Sequence, residues 1–243
     1  MIKIEKHKRV NDILLGPLER PALQWLAARM PVWVTPDSLT ALGVLGALVT
    51  TLGYILSNID KNFFWLASFG LLVNWFGDSL DGTLARHRKI ERPKYGFFTD
   101  HVTDTFSQAV MFLGLGLSPF INFNVACLTL ISLFMLEILV YVRTSVVGEF
   151  KISYGGLGPT ELRVVAILLN TFMILMGQRT IEWLFSTNQL VFSVYDIALL
   201  FVATLVFGFF FNTAWKQGRA LARMEKKLEG RGTGVAQKDT QGT

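Results

Sequence analysis

Four aspartates are the residues in this chain most suited to chemistry. Asp78 and Asp81 lie three residues apart at the end of one apolar segment, and Asp100 and Asp104 lie four apart at the start of the next. On helices, the members of each pair share a face. Four carboxylates gathered beside apolar segments repel one another, and a hard divalent cation relieves that repulsion. The pattern therefore predicts a membrane-surface site for Mg²⁺ or Mn²⁺, with two ions expected.

The spacing of these residues resembles a known signature. The chain reads Asp78-x-x-Asp81-Gly-x-x-Ala-Arg and then Gly-x-x-x-Asp100-x-x-x-Asp104, which is similar to the motif of the CDP-alcohol phosphotransferase (phosphatidyltransferase) family. His101 and the stretches 13–40 and 158–163 resemble the choline/ethanolamine phosphotransferase branch in particular. Two positions depart from the pattern: Asp37 stands where asparagine is usual, and Phe97 where the branch tends to carry glutamate.

The resemblance implies a reaction class. Enzymes of this family transfer a substituted phosphate from a CDP-linked donor to an alcohol and release CMP. The branch favours a small-headgroup donor such as CDP-ethanolamine, CDP-choline or CDP-inositol, with a lipid hydroxyl such as that of diacylglycerol as acceptor. The alternative is CDP-diacylglycerol as donor and inositol phosphate, glycerol phosphate or serine as acceptor. The motif does not separate the two, and the family also implies a homodimer.

Roles for individual residues follow from the motif. The four aspartates are the expected metal ligands, and either Asp104 or His101 is the expected catalytic base, a choice that the sequence leaves open. Small residues allow close approach of the nucleotide, and Arg suits phosphate recognition. The expected nucleotide- and phosphate-binding residues are Thr40, Gly82, Ala85 and Arg86.

Four further charged residues are candidates for the donor or acceptor pocket. Glu137 lies within an apolar run, where a carboxylate is either functional or a hydrogen-bonded packing residue. Arg143, Glu161 and Arg163 lie at the ends of apolar segments, where they either line the pocket or anchor the chain at the interface.

The elements that position these residues are six apolar segments. At 51% hydrophobic residues and a mean hydropathy of +0.43, the chain is too apolar for an ordinary soluble domain. The sequence predicts an all-α integral membrane protein with six transmembrane helices and an N-terminal interfacial amphipathic helix near 10–30. We expect a cytoplasmic N-terminus (1–36), a catalytic membrane domain (37–215) and a basic cytoplasmic tail (216–243), with disorder from about Gly230. The spans are expected near 38–58, 62–81, 101–120, 123–145, 160–178 and 192–214.

The distribution of basic residues predicts the orientation. With both termini on one side, only Lys61 and Arg179 of the 23 basic residues fall on the other side. The positive-inside rule then makes both termini and the aspartate-rich face cytoplasmic. The net charge of +5 accompanies no groove-like basic stripe, so nucleic acid is not an expected partner. A cation transporter is a remote alternative, because the carboxylates cluster at one surface and do not cross the midplane.

Overall fold

The computed structural model describes residues 14–147, 158–178, 180–181 and 192–239. The helices are α1 (Gly16–Arg29), α2 (Pro36–Leu56), α3 (Phe63–Arg88), α4 (Pro93–Gly116), α5 (Phe123–Val147), α6 (Pro159–Met176) and α7 (Val194–Asp239). A short antiparallel pair, β1 (Thr180–Ile181) and β2 (Phe192–Ser193), precedes α7, with Thr180 opposite Ser193. Helices α2 to α7 coincide with the six predicted apolar segments, and the all-α class is confirmed.

Among the described residues, four helices are long enough and apolar enough in composition to cross a membrane. They are α2, α5, α6 and the Val194–Met224 part of α7, with α5 counted to Val146. Helices α3 and α4 are as long, but the four aspartates lie on them and lower their hydropathy. The structure thus supports an all-α integral membrane protein, while six spans stay a prediction.

Local signals in the sequence explain where the helices begin and end. Thr35 caps α2 through its hydroxyl, which accepts from the Ser38 backbone N–H at 3.1 Å, and the Ser38 hydroxyl accepts from the Thr35 N–H at 3.0 Å. Pro36 and Pro93 occupy the first turns of α2 and α4, where the missing N–H of proline costs nothing. Helix α3 ends where Lys89 adopts the left-handed conformation, with a φ of 57°, as helix ends commonly do.

Glycines let α2 and α3 pack with their backbones in contact. A Cβ atom on Gly46 would lie 2.3 Å from the Asn74 backbone nitrogen, and one on Gly77 would lie 2.4 Å from the Gly43 nitrogen. Neither distance is possible for a real side chain, so these positions require glycine. This close approach places the start of α2 directly against the aspartate-bearing end of α3.

The N-terminal helix α1 docks on α3 and α6. Leu23 and Ala27 pack in one cluster with core residues of α3. Glu19 Oε1 accepts hydrogen bonds from Trp75 Nε1 at 2.8 Å and Thr160 Oγ1 at 2.7 Å. Elsewhere on α1, Leu18 and Trp25 are exposed. The interfacial position of this helix remains a prediction, and residues 10–13 of its predicted range lie outside the described part of the chain.

The far end of the bundle is held by a second core. Phe64 packs edge-on against Tyr54 and Phe120, and Phe120 contacts Tyr195. Buried Asp196 of α7 accepts hydrogen bonds from the Asn122 N–H at 2.7 Å and the Ser193 N–H at 2.8 Å. These bonds tie the turn between α4 and α5 to the start of α7.

The C-terminal part of α7 continues as a helix to Asp239. The disorder expected from about Gly230 stays a prediction. The division into three regions at 36 and 215 stays a prediction.

Candidate metal and phosphate site

Three carboxylates meet where α3 ends and α4 begins. One ligand oxygen each from Asp78, Asp100 and Asp104 lies within 4.8 Å of the other two. Asp78 and Asp100 are partly buried, and Asp104 is the most exposed of the three. Three hard oxygen donors at this separation form a group that can hold a divalent cation of the Mg²⁺ or Mn²⁺ type. The structure thus brings together three of the four aspartates that the sequence singled out.

Arg163 of α6 is the cation beside this group. Its Nη2 lies 2.7 Å from Asp78 Oδ2, and its Nε donates to Asn74 Oδ1 at 2.8 Å. Asn74 is itself fixed by a bond from its Nδ2 to the Gly43 carbonyl at 2.9 Å. The remaining Arg163 nitrogen, Nη1, is buried and has no hydrogen-bond partner among the described residues. One arginine charge against three carboxylates leaves a net negative charge, which suits a divalent cation.

Asp81 lies at the edge of the group and is turned toward α2. Its Oδ2 accepts from Thr40 Oγ1 at 2.5 Å, and its Oδ1 contacts the Gly82 N–H. It is not one of the three carboxylates whose oxygens lie within 4.8 Å of one another. Thr40, expected at the nucleotide, therefore contacts the fourth aspartate directly. It can fix the orientation of that carboxylate.

Three of the expected nucleotide-binding residues lie together on the last turns of α3. Arg86 is exposed, and its Nη2 donates to Thr83 Oγ1 at 3.1 Å. Its guanidinium lies over Gly82, since a Cβ atom built there would be 3.3 Å from Nη1. Ala85 is half-buried beside them. An exposed guanidinium above bare backbone is a surface that can accept a phosphate group.

His101 has a defined tautomer. Its Nδ1 lies 2.7 Å from the Phe97 carbonyl oxygen. A carbonyl oxygen can only accept, so Nδ1 carries the proton and Nε2 is the basic nitrogen. The imidazole packs against the Phe97 ring at 4.1 Å and the Tyr141 ring at 5.4 Å between centroids. The Phe97 backbone thus orients the imidazole, although its side chain replaces the usual glutamate.

The other pocket candidates have different surroundings. Glu161 is buried and accepts from the Leu15 N–H at 2.7 Å and the Gly158 N–H at 2.9 Å, so it caps α6 and fastens the start of α1. Glu137 accepts from Gln108 Nε2 at 3.0 Å across α4 and α5. Arg143 is partly buried near the end of α5. Arg163 differs from these three residues because it contacts the aspartate group directly.

The sequence analysis did not single out two polar residues near the site, Asn74 and Gln108. A narrow cavity beside Asp78 and Asp104 is also lined by Asn74 of α3 and by Thr103 and Ser107 of α4. Asn74 lies one helical turn before Asp78, and Gln108 one turn after Asp104. The four-residue spacing from an aspartate was the available signal, because it places a polar side chain on the same face of the helix.

Comparison with known proteins gives the chain a family. The CDP-alcohol phosphatidyltransferase family model matches residues 33–195. Cholinephosphotransferase 1 of Gallus gallus is 31% identical over 120 residues, which cover 46% of this chain and 36% of that protein. Archaetidylinositol phosphate synthase of Pyrococcus horikoshii is 36% identical over 140 residues, covering 57% and 70% respectively.

A longer match extends over most of the chain. Cholinephosphotransferase 1 of Mus musculus is 26% identical over 184 residues, covering 70% of this chain and 45% of that protein. The chain thus spans less than half the length of these two cholinephosphotransferases. The region matched by the family model contains all four aspartates, His101 and Arg163. The chain therefore belongs to the CDP-alcohol phosphatidyltransferase family, and its relatives support the branch that contains the choline and ethanolamine phosphotransferases.

Proposed function

We propose that this protein is a metal-dependent membrane phosphotransferase that moves a phospho-alcohol from a CDP-alcohol to a lipid hydroxyl and releases CMP. The group of three carboxylates, Asp78, Asp100 and Asp104, beside Arg163 is the observation that carries the proposal. Membership of the family supplies the reaction class. Phospholipid synthesis is the process that such a reaction serves.

The donor set fits a divalent metal ion. Asp78, Asp81, Asp100 and Asp104 would hold Mg²⁺ or Mn²⁺, since carboxylate oxygens are hard ligands. Arg163 compensates only part of their charge. When bound, such an ion neutralises charge on the pyrophosphate and on the departing CMP.

The protein's own residues position the donor. Arg86 offers an exposed guanidinium to the phosphates, and Gly82 lets the nucleotide approach the α3 backbone. Thr40 of α2 bonds to Asp81, and Arg163 of α6 bonds to Asp78. Helices α2 and α6 therefore fix the orientation of two of the carboxylates. This preorganisation lowers the reorganisation needed when the substrate binds.

His101 is the group that we assign as general base. Its Nε2 carries the lone pair, because Nδ1 donates to the Phe97 carbonyl. A neutral imidazole has a proton affinity near pH 7 that a metal-bound carboxylate lacks. Nε2 would take the proton from the acceptor hydroxyl as its oxygen bonds to phosphorus. Asp104 is the alternative base, with the same proton accepted by its carboxylate.

A second donor and acceptor arrangement has an observation in its favour. The archaeal relative is a synthase of archaetidylinositol phosphate, and 70% of its length is matched. By that analogy the donor would be CDP-diacylglycerol and the acceptor a polar alcohol such as inositol phosphate, glycerol phosphate or serine. The same aspartates would serve both arrangements.

The proposed topology has six spans with both termini and the aspartates at the cytoplasmic face. Helices α3 and α4 are joined by a short basic connection, which suits this arrangement. In a Cys127→Ala background, a cysteine at Lys94 should react with impermeant reagents only from the cytoplasmic side, and one at Ile59 only from outside. The reverse labelling would refute the orientation. A homodimer, the state we propose, should appear in cross-linking of the detergent-purified protein.

The activity is tested by a donor–acceptor matrix. Purified protein in lipid vesicles is given each CDP-alcohol with each acceptor class, and CMP release is measured with Mg²⁺, with Mn²⁺ and after chelation. We expect metal-dependent release for one or two pairs. Release that survives chelation, or no release from any pair, would contradict the proposed function.

A further inference from the structure

A polar pair of side chains lies one turn beyond the aspartate group and has no part in the mechanism above. Gln108 of α4 follows Asp104 by one helical turn. Its Nε2 donates to Glu137 Oε1 of α5 at 3.0 Å. Both residues are partly buried on helices of an apolar bundle. This position is expensive for a carboxylate unless a partner balances its charge.

The hydrogen bonding of the pair is incomplete among the described residues. Gln108 Oε1 is buried without a hydrogen-bond partner in the described part of the chain, although its amide nitrogen is used. Glu137 accepts a hydrogen bond from the neutral Gln108 amide. Among the described residues, no ion pair gives it a cation. A buried acceptor without a donor is unfavourable, and so is a carboxylate without a compensating charge. The Gln108 oxygen and the Glu137 carboxylate together therefore call for a group that brings both N–H donors and positive charge.

Tyr141 places the pair next to the reaction centre. Tyr141 lies one turn from Glu137 on α5 and packs against His101. A ligand group at Gln108 and Glu137 would therefore belong to a molecule whose phosphate or hydroxyl reacts beside Asp104.

We propose that Gln108 and Glu137 form a subsite for the primary ammonium group of a substrate, an inference that rests on the proposed function. A primary ammonium has three N–H donors and a positive charge, so it can satisfy the Gln108 oxygen and the Glu137 carboxylate together. A quaternary ammonium lacks N–H groups and leaves Gln108 Oε1 unpaired. A site built to hydrogen-bond one analogue discriminates strongly against another that lacks the donor.

The ammonium group could belong to the donor or to the acceptor, and four substrate pairs distinguish these two sources. CDP-ethanolamine and CDP-choline are each given with diacylglycerol, and serine and inositol phosphate are each given with CDP-diacylglycerol. The subsite predicts that the amine-bearing member of the productive arrangement is preferred: ethanolamine over choline if the donor carries it, or serine over inositol phosphate if the acceptor does.

Variants then assign the preference to the pair. Gln108→Leu removes the acceptor oxygen, and Glu137→Gln removes the charge while keeping an oxygen for the Gln108 amide. Each should raise KM for the amine-bearing substrate roughly tenfold. KM for the compared substrate without a primary amine, the choline donor or inositol phosphate, should change by less than about threefold. Gln217→Leu makes the matched change on α7 and should alter neither. If Gln108→Leu does not yield a folded protein, Glu137→Gln alone decides.

The outcomes distinguish this inference from the proposed function. Metal-dependent CMP release with equal losses for both substrates, or with a wild-type preference for choline or inositol phosphate, would overturn the ammonium subsite alone. CMP release from none of the four pairs would overturn the subsite, and it would contradict the phosphotransferase assignment as well if the other pairs of the donor–acceptor matrix also release none.

Discussion

The two ends of the bundle treat acidic side chains in opposite ways. At the far end, Asp196 is 2% exposed and accepts two backbone N–H groups, from Asn122 and Ser193. At the aspartate-rich end, the oxygens of three carboxylates lie within 4.8 Å of one another, with Arg163 as the neighbouring cation. The first arrangement is complete within the chain, and the second calls for a cation from outside.

The difference separates acids that hold the fold from acids that do chemistry. Glu161 belongs to the first kind, because backbone N–H groups of Leu15 and Gly158 satisfy it. Asp78 belongs to the second kind, since its partner Arg163 is shared with Asn74 and faces neighbouring carboxylates. A carboxylate saturated by backbone donors stabilises the fold, whereas crowded carboxylates create an electrostatic cost that a substrate or metal relieves.

The largest expected effect is the loss of activity in Asp78→Asn. Removing one carboxylate lowers the charge that holds the metal, so the rate of CMP release should fall at least about a thousandfold, or about 4 kcal/mol of transition-state stabilisation. The purified protein should stay folded, because the asparagine side chain keeps an oxygen for Arg163 and the change relieves repulsion among the carboxylates. A near-normal rate in this variant would place Asp78 among the structural acids.

The opposite result is expected for Asp196→Ala. The backbone N–H groups of Asn122 and Ser193 would lose their acceptor in a buried setting, at a cost of about 2–4 kcal/mol of folding stability. The variant should melt at lower temperature, yet each folded molecule should release CMP at the normal rate. A normal melting temperature, or a specific loss of rate, would remove the contrast between the two ends.

How far the sequence predicts this contrast depends on the range of the interactions involved. The four aspartates lie close together in the chain, on two consecutive helices, so local spacing was enough to group three of them, Asp78, Asp100 and Asp104. The helices themselves follow from apolar length and from start signals such as Thr35 and Pro93, which are readable from the chain alone.

Contacts between residues far apart in the chain could not be predicted from local spacing. Arg163 meets Asp78 across 85 positions, and Glu161 meets Leu15 across 146. From spacing alone, both α6 residues have the same description, as charged residues at the end of a span, and only the packing of α6 and α1 separates their roles. The depth of contact between α2 and α3 likewise needs both helices, because each glycine is required by the backbone opposite it.

A smaller effect is expected at the edge of the site. His101→Ala should lower the transfer rate at least about tenfold, or about 1.4 kcal/mol, with little change in donor affinity, as expected when a general base is lost. Asp104→Asn should be worse, because it removes a metal ligand as well. A normal rate for His101→Ala across pH 6–8 would make the histidine structural and favour Asp104 as the base.

Binding of Mn²⁺, followed by its electron paramagnetic resonance signal, tests the central claim without requiring turnover. The wild-type protein should bind Mn²⁺ at the carboxylate group, and Asp78→Asn should bind it at least about tenfold more weakly, because charge-bearing ligands set the affinity of such sites. Asp196→Asn, which removes an acid of the other kind, should bind as the wild type does. Equal Mn²⁺ affinity in the wild type and Asp78→Asn would contradict the account, because the crowded aspartates would then have no metal to hold.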